Sequence, residues 1–246
     1  MMIQKRDSTS AGMEYKKKRL KSVYDVYSSW IKRFPLACQK GCSACCTQSV
    51  TMTSLEGEMI IDLVREKHWE KWLAEKLVRA TPGQNTARIT TNQFAEACLN
   101  HWEVDGETLG NWDFTPCVFL ENAVCSIYEV RPFGCRSFGS LVQCATDRAA
   151  EMAPIHLTVN TVFSQIIEHL ASDNGYWSSM ADILHSLVNN KNQGHKVHLL
   201  KARPLTGFLL EPQEKQEVDV LLKRLWAHST DTGCLGDLID NFMTIL

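Results

Sequence analysis

Cys38-Gln39-Lys40-Gly41-Cys42-Ser43-Ala44-Cys45-Cys46 puts four cysteines into nine residues, and four more follow at Cys117, Cys125, Cys135 and Cys144. Eight of the ten cysteines in a chain of 246 residues therefore fall in one patterned span. That density is well below that of a small disulfide scaffold, and the chain is long enough to bury a core without cross-links. Thiols at such spacings in a reducing compartment hold metal rather than one another. The candidate metal ligands are thus Cys38, Cys42, Cys45, Cys46, Cys117, Cys125, Cys135 and Cys144. Cys98 and Cys234 belong to no recognisable spacing and read as small hydrophobes.

The spacing also bears on how many centres there are. On a helix, positions 38, 42 and 45 or 46 share one side, because residues three and four apart are neighbours. Cys45 and Cys46 are adjacent, and adjacent side chains diverge by about 100° on a helix or point to opposite faces of a strand. They do not both easily reach one mononuclear ion. Two centres, or one centre and a free thiol, follow.

Outward from the cysteines the pattern is helical. Leu20, Val23, Tyr24, Tyr27 and Ile31 recur at steps of three or four within Tyr15 to Phe34, an amphipathic helix that Pro35 ends. Thr53 or Ser54 with Glu56 or Glu58 marks a capped start, and apolar residues from Ile60 to Leu77 extend one helix from it to Pro82-Gly83. Residues 82–116 read as mostly irregular, with a helical option at Gln93 to Leu99. Cys117 to Leu120 and Ala123 to Tyr128, either side of Glu121-Asn122, read as a short hairpin. Helical patterns return at Val159 to Leu170, Trp177 to Val188 and Pro212 to Trp226. The expected fold is mainly α with a small β hairpin, a Cys-rich, metal-organised core wrapped by helices. Its parts are a basic N-terminal helix (1–37), the Cys-rich core (38–148) and a C-terminal helical region packed on it (149–246).

Charge and hydropathy narrow the function classes. Residues 1–50 carry ten Lys and Arg against three Asp and Glu, while the remainder carries 16 against 25. The densest basic run, Lys16 to Lys21, comes with no nucleic-acid reader motif and reads as the solvated face of its helix. No apolar run approaches the roughly 18 residues of a membrane span. The start of the chain has no secretory pattern, so the expected location is the cytoplasm. The eight histidines show no zinc-ligand spacing, and there is no phosphate-binding glycine loop or nucleophile elbow.

Cys42-Ser-Ala-Cys45-Cys46, Cys125-Ser-Ile-Tyr-Glu-Val-Arg131-Pro132-Phe-Gly-Cys135-Arg136 and Cys144-x3-Arg148 resemble the CxxCxxCC zinc- or iron-chelating family, also called YkgJ-type cysteine-cluster proteins. The resemblance covers about residues 38–148. Shorter members carry two residues between the first two cysteines and this chain carries three, as does the related cluster of flagellin lysine N-methylase, which is associated with an iron–sulfur centre. The resemblance implies a metal-binding protein whose cofactor is zinc or an iron–sulfur cluster, with Arg131 and Arg136 as cofactor-binding donors to sulfur. Lys40 and Arg148 are further candidates, and Pro132 with Gly134 fits a turn that brings Cys135 back toward Cys125. An alternative is a metalloenzyme using the cluster for redox or methyl-transfer chemistry. Eight committed ligands favour a structural or carrier role and a vacant position favours catalysis, because structural sites are closed.

Overall fold

The computed structural model describes residues 10–39, 41–80, 88–105, 114–144, 149–188, 197–230 and 233–234. Among them the chain is mainly helical, with eight helices and a few short antiparallel strands. Helix α1, Ser10–Ile31, begins earlier than its apolar spacing suggested and stops short of Phe34-Pro35. Leu20, Val23, Tyr24, Tyr27 and Trp30 form its buried side. The basic run on α1 is largely engaged within the molecule. Lys16 pairs with Asp173 (2.8 Å), Lys17 pairs with Glu14 and Asp62, and Arg19 is buried with its guanidinium over the Tyr15 ring.

Two hydrophobic clusters organise the rest. In the first, α1 packs with α6 (Pro154–Ala171) and α8 (Lys215–Ala227) through Val159, Phe163, Ile166, Leu221 and Leu225. Pro154 opens α6, where its missing N–H costs nothing. The second cluster joins α2 (Ser54–Glu66), α3 (Glu70–Arg79) and α7 (Met180–Val188). Helix α2 belongs to both, with Leu55 and Met59 facing the first and Ile60, Ile61 and Val64 the second.

The single helix expected from Thr53 to Leu77 is two. His68 takes the left-handed conformation (φ 54°), and Trp69 N–H closes on Val64 O at 2.8 Å. Histidine adopts that region more readily than most residues, so no glycine or proline signals the break. The turn lays Trp69 on Trp72, ring centres 5.0 Å apart, and Trp72 on Phe119 of the cysteine hairpin at 5.7 Å. Helix α4, Thr91–Leu99, takes up the helical option, with a Thr90–Gln93 capping box. Pro82-Gly83 and the punctuation from Gly106 to Asn111 lie outside the described residues.

A three-stranded antiparallel sheet is absent from the expected fold. Its order is β1 (Thr51–Thr53), β4 (Tyr176–Ser179), β5 (Leu200–Lys201). The helix expected from Trp177 starts only at Met180, because Ser179 caps it: its hydroxyl accepts from Asp182 N–H (3.1 Å) and donates to the Asp182 carboxylate (2.9 Å). The expected hairpin is present as β2 (Leu120–Glu121) and β3 (Val124–Cys125). Its turn is Asn122-Ala123, one residue later than expected, with both φ positive (49° and 61°), as a tight hairpin turn requires.

Candidate metal centre

The first cysteine run is not helical. Cys42 N–H bonds to Gln39 O (2.9 Å), Cys46 N–H to Ser43 O (2.9 Å) and Thr47 N–H to Cys45 O (3.0 Å), a succession of tight turns. Gly41, at φ 92°, sits in the first of them and accommodates the longer gap between Cys38 and Cys42. The run is fastened from outside. Ala37 N–H donates to Ser140 O (2.8 Å), and Ser140 N–H donates to the Cys38 sulfur (3.3 Å). Ser140 is fully buried, and its hydroxyl donates to Val142 O (2.6 Å) and accepts from Glu151 N–H (3.1 Å), holding the strip that leads to Cys144.

Of the other cysteines, Cys125 stands on β3 and Cys135 on a short helix, while Cys117 leads into the hairpin and Cys144 lies in irregular chain. Cys117 N–H donates to Cys46 O (2.9 Å) and Gln48 N–H to Thr115 O (3.0 Å), so a short seam joins the first run to the hairpin. The Cys117 and Cys125 sulfurs receive backbone N–H groups from Phe119 and Ile127. Cys135 lies on the short helix α5, Phe133–Ser137, whose two ends are both held. At the first, Phe133 N–H donates to the Glu56 carboxylate (2.7 Å). Glu56 is 3% exposed and also accepts from Tyr24 Oη (2.8 Å) and Thr53 N–H (2.7 Å), so the α2 capping box doubles as an anchor for α5. At the second end Ser137 O accepts from Asn160 Nδ2 (3.0 Å) and faces His156 Nε2 (3.1 Å), while the Tyr27 hydroxyl donates to Asn160 Oδ1 (2.7 Å). Gly134 allows α5 to lie on the sheet, since a Cβ there would stand 3.3 Å from Thr51 O.

The nine cysteines whose side chains are described are free thiols. Burial pushes the Cys38 thiol up, and the Cys42, Cys45 and Cys144 charges push it further. The Cys46 thiol instead has Cys135, Cys117 and Cys125 as like-charged neighbours, although its hydrogen bond from Cys45 outweighs them and lowers its pKa. Burial raises Cys117, Cys125 and Cys135, and the Cys117 and Cys125 charges add to the rise at Cys135. The neighbourhoods are Cys38, Cys42, Cys45 and Cys144 on one side and Cys46, Cys117, Cys125 and Cys135 on the other. They meet where Cys45 donates to Cys46, and Cys45 also acts on Cys135. The divergence expected of adjacent cysteines does not occur, because residues 45 and 46 lie in a turn and their thiols touch. Among the described residues no three Cys, His, Asp or Glu side chains are closed around a point, so the thiols are grouped rather than caged.

The two arginines differ. Arg131 places its guanidinium 4.0 Å over the Tyr128 ring, its positive charge favours the thiolates of Cys45, Cys125 and Cys135, and its buried Nε has no hydrogen-bond partner. Arg136 donates from Nε to Arg131 O (2.8 Å) and from its terminal nitrogen to Glu129 O, and stacks on Tyr24 at 4.4 Å. Its donors hold the turn before Cys135. Lys40 and Arg148 lie outside the described residues, as does the side chain of Cys234. Sequence reasoning missed Lys76, a nearly buried ammonium whose charge lowers the Cys117 thiol and which pairs with Glu121 (2.5 Å). It missed Ser140 as well, and it saw Glu56 only as a cap.

An all-sulfur set with a neighbouring cation fits a thiophilic metal, zinc or iron–sulfur, since four thiolates leave either centre at about −2. Residues 37–154 match the family model described as "CxxCxxCC: Putative zinc- or iron-chelating domain". No curated protein matches the chain significantly, and no solved structure does. The stretch that is similar to this family runs from just before Cys38 to the start of α6 and takes in all eight patterned cysteines.

Proposed function

We propose that the chain binds two thiophilic metal centres, an outer one through Cys38, Cys42, Cys45 and Cys144 and an inner one through Cys46, Cys117, Cys125 and Cys135. The observation that carries this is the backbone placement: Ser140 N–H reaches the Cys38 sulfur on the strip leading to Cys144, while Cys117 N–H bonds to Cys46 O and seats Cys46 beside the hairpin; the like-charged neighbours of Cys38 and of Cys46 divide the same way. Each set has four sulfurs, the number that fills a zinc or [4Fe–4S] site, which supports a structural or carrier role over one needing an open position. Arg131 offsets the negative charge of the sulfur-bound centres, and its buried Nε is the donor available to a sulfur. Nine free cysteines support a reducing location, the cytoplasm, and no described helix is long and apolar enough to cross a membrane.

Elemental analysis and an absorption spectrum of protein purified without oxygen test the reading. Two zinc ions per chain, or iron and sulfide in the amounts of two clusters with their visible bands, are expected. One mononuclear ion per chain, or all eight cysteines serving one cluster, overturns it.

A further inference from the structure

Resting on that two-centre reading, we infer that the centres differ in function: the outer set is a metal-exchange site open to incoming thiols, and the inner set holds its metal as part of the fold. Exposure is the first reason. Three of the four outer thiols, Cys38, Cys42 and Cys45, are exposed and Cys144 is partly buried, whereas none of the inner four, Cys46, Cys117, Cys125 and Cys135, is exposed. Support is the second. Cys38, Cys42 and Cys45 sit on turns fastened through Ser140, whereas Cys46, at the end of those turns, is bonded to the Cys117 backbone, Cys117 and Cys125 pack against the second hydrophobic cluster, and Cys135 rides on a helix pinned at both ends.

Exchange at a thiolate-bound divalent ion is associative. An incoming thiol would lose its proton and form a sulfur–metal bond as the bond to Cys42 breaks, and the released Cys42 thiolate would take up that proton. The metal keeps its oxidation state, and repetition at the remaining ligands transfers the ion. Each step needs a sulfur approaching the metal from solvent, which exposed ligands permit and packed ones obstruct. The ligand class is a thiol, either a small molecule such as glutathione or a cysteine of an acceptor protein. The exposed outer run admits both.

The test uses the full-length protein as purified without oxygen. It is challenged with EDTA alone, with EDTA and glutathione, and with EDTA and a thiol-rich zinc-free acceptor protein. Retained metal is measured after desalting, and freed cysteines are labelled with iodoacetamide and located by mass spectrometry. Half of the metal should leave in a fast phase accelerated by thiol, with label on Cys38, Cys42, Cys45 and Cys144. The other half should leave at least about tenfold more slowly. Acceleration by glutathione identifies a small-molecule partner, and acceleration by the acceptor protein alone identifies a protein one. A single release phase, early label on Cys117, Cys125 or Cys135, or release indifferent to thiol overturns the inference. One metal centre in the starting material instead overturns the two-centre reading beneath it. Cys42→Ser should abolish the fast phase and leave the slow one, and loss of both phases in a folded variant also counts against the inference.

Discussion

Residues 38–46 and residues 117–135 carry the same side chain for the same chemistry, yet the chain supports them differently. The first run is turns, fixed by its own backbone, by one buried serine and, at its Cys46 end alone, by a backbone seam to the hairpin. The second is a hairpin and a helix whose bonds lead into α1, α2 and α6 through Tyr27, Glu56 and Asn160. A ligand on a turn can be released without disturbing the core, whereas a ligand on an anchored element moves only with the core it is tied to. The difference is thus one of coupling to the fold.

The largest effect that would break this comparison is ligand removal. Metal bound to a site absent from the unfolded chain contributes its binding free energy to folding, on the order of 10 kcal/mol for structural zinc. Cys125→Ser and Cys135→Ser should accordingly give insoluble or strongly destabilised protein, while Cys42→Ser stays soluble with a melting curve near wild type. Thermal melts with metal analysis decide it. Equal destabilisation by Cys42→Ser and Cys135→Ser would erase the distinction.

Next come the two side chains that fasten the halves. Glu56→Ala removes a helix cap and leaves buried donors on Tyr24 and Phe133 without their acceptor, a loss of about 3 kcal/mol. Ser140→Ala removes bonds to Val142 and Glu151 and should cost about 1 kcal/mol, felt in the outer centre. Denaturant unfolding gives the two energies, and cysteine labelling shows which centre opens. Early exposure of Cys38 rather than Cys135 in Glu56→Ala would reverse the assignment.

What could be read from the sequence follows the same division. Helices α1 and α6 are long enough for apolar residues to repeat at three and four, so their existence was plain. Strand β4 was not, since Trp177, Met180, Ile183 and Leu184 run on at helical spacing and four residues are too few to show alternation. The signal was Ser179-x-x-Asp182, a capping pattern that places the helix start. The α2–α3 break rests on one histidine at positive φ, which composition does not announce. At the site, all eight cysteines were visible from spacing, but their grouping joins residues far apart in sequence, Cys38 with Ser140 and Cys46 with Cys117. Glu56 was legible as a cap because its partner is three residues away. Its bond to Phe133 is not local, and no pattern encodes it.

Arg131 offers a finer test. Its charge acts on Cys45, Cys125 and Cys135, so it spans both sets but weighs on the inner one. Arg131→Gln should weaken inner metal retention by about tenfold in chelator competition, and Arg131→Lys should restore part of it. A larger loss from the outer centre would place the arginine with the other set.

The smallest expected effect is a pH dependence that enters through the end of α5. His156 is fully buried between Trp30 and Phe34, with Nε2 facing Ser137 O at the end of α5. Its Nδ1 is buried with no hydrogen-bond partner, so a second proton there has no acceptor. Burial lowers its pKa below the ordinary value of 6.5, the Ser137 carbonyl offsetting part of that. A base whose folded pKa is depressed binds protons more readily when unfolded, so the neutral form favours the fold and stability rises with pH. The contribution is whole above the unfolded value of about 6.5 and is lost as pH falls from there toward the folded pKa. Acidification through that window should therefore reduce stability and loosen the Cys135 helix before it affects the Cys38 side. In His156→Gln, which does not titrate, the part of the slope due to His156 should vanish while the outer centre's release rate stays the same. Denaturant unfolding of wild type and variant from pH 7 down to pH 5 measures it. An unchanged slope would mean that His156 is not what makes the inner half sensitive to acid.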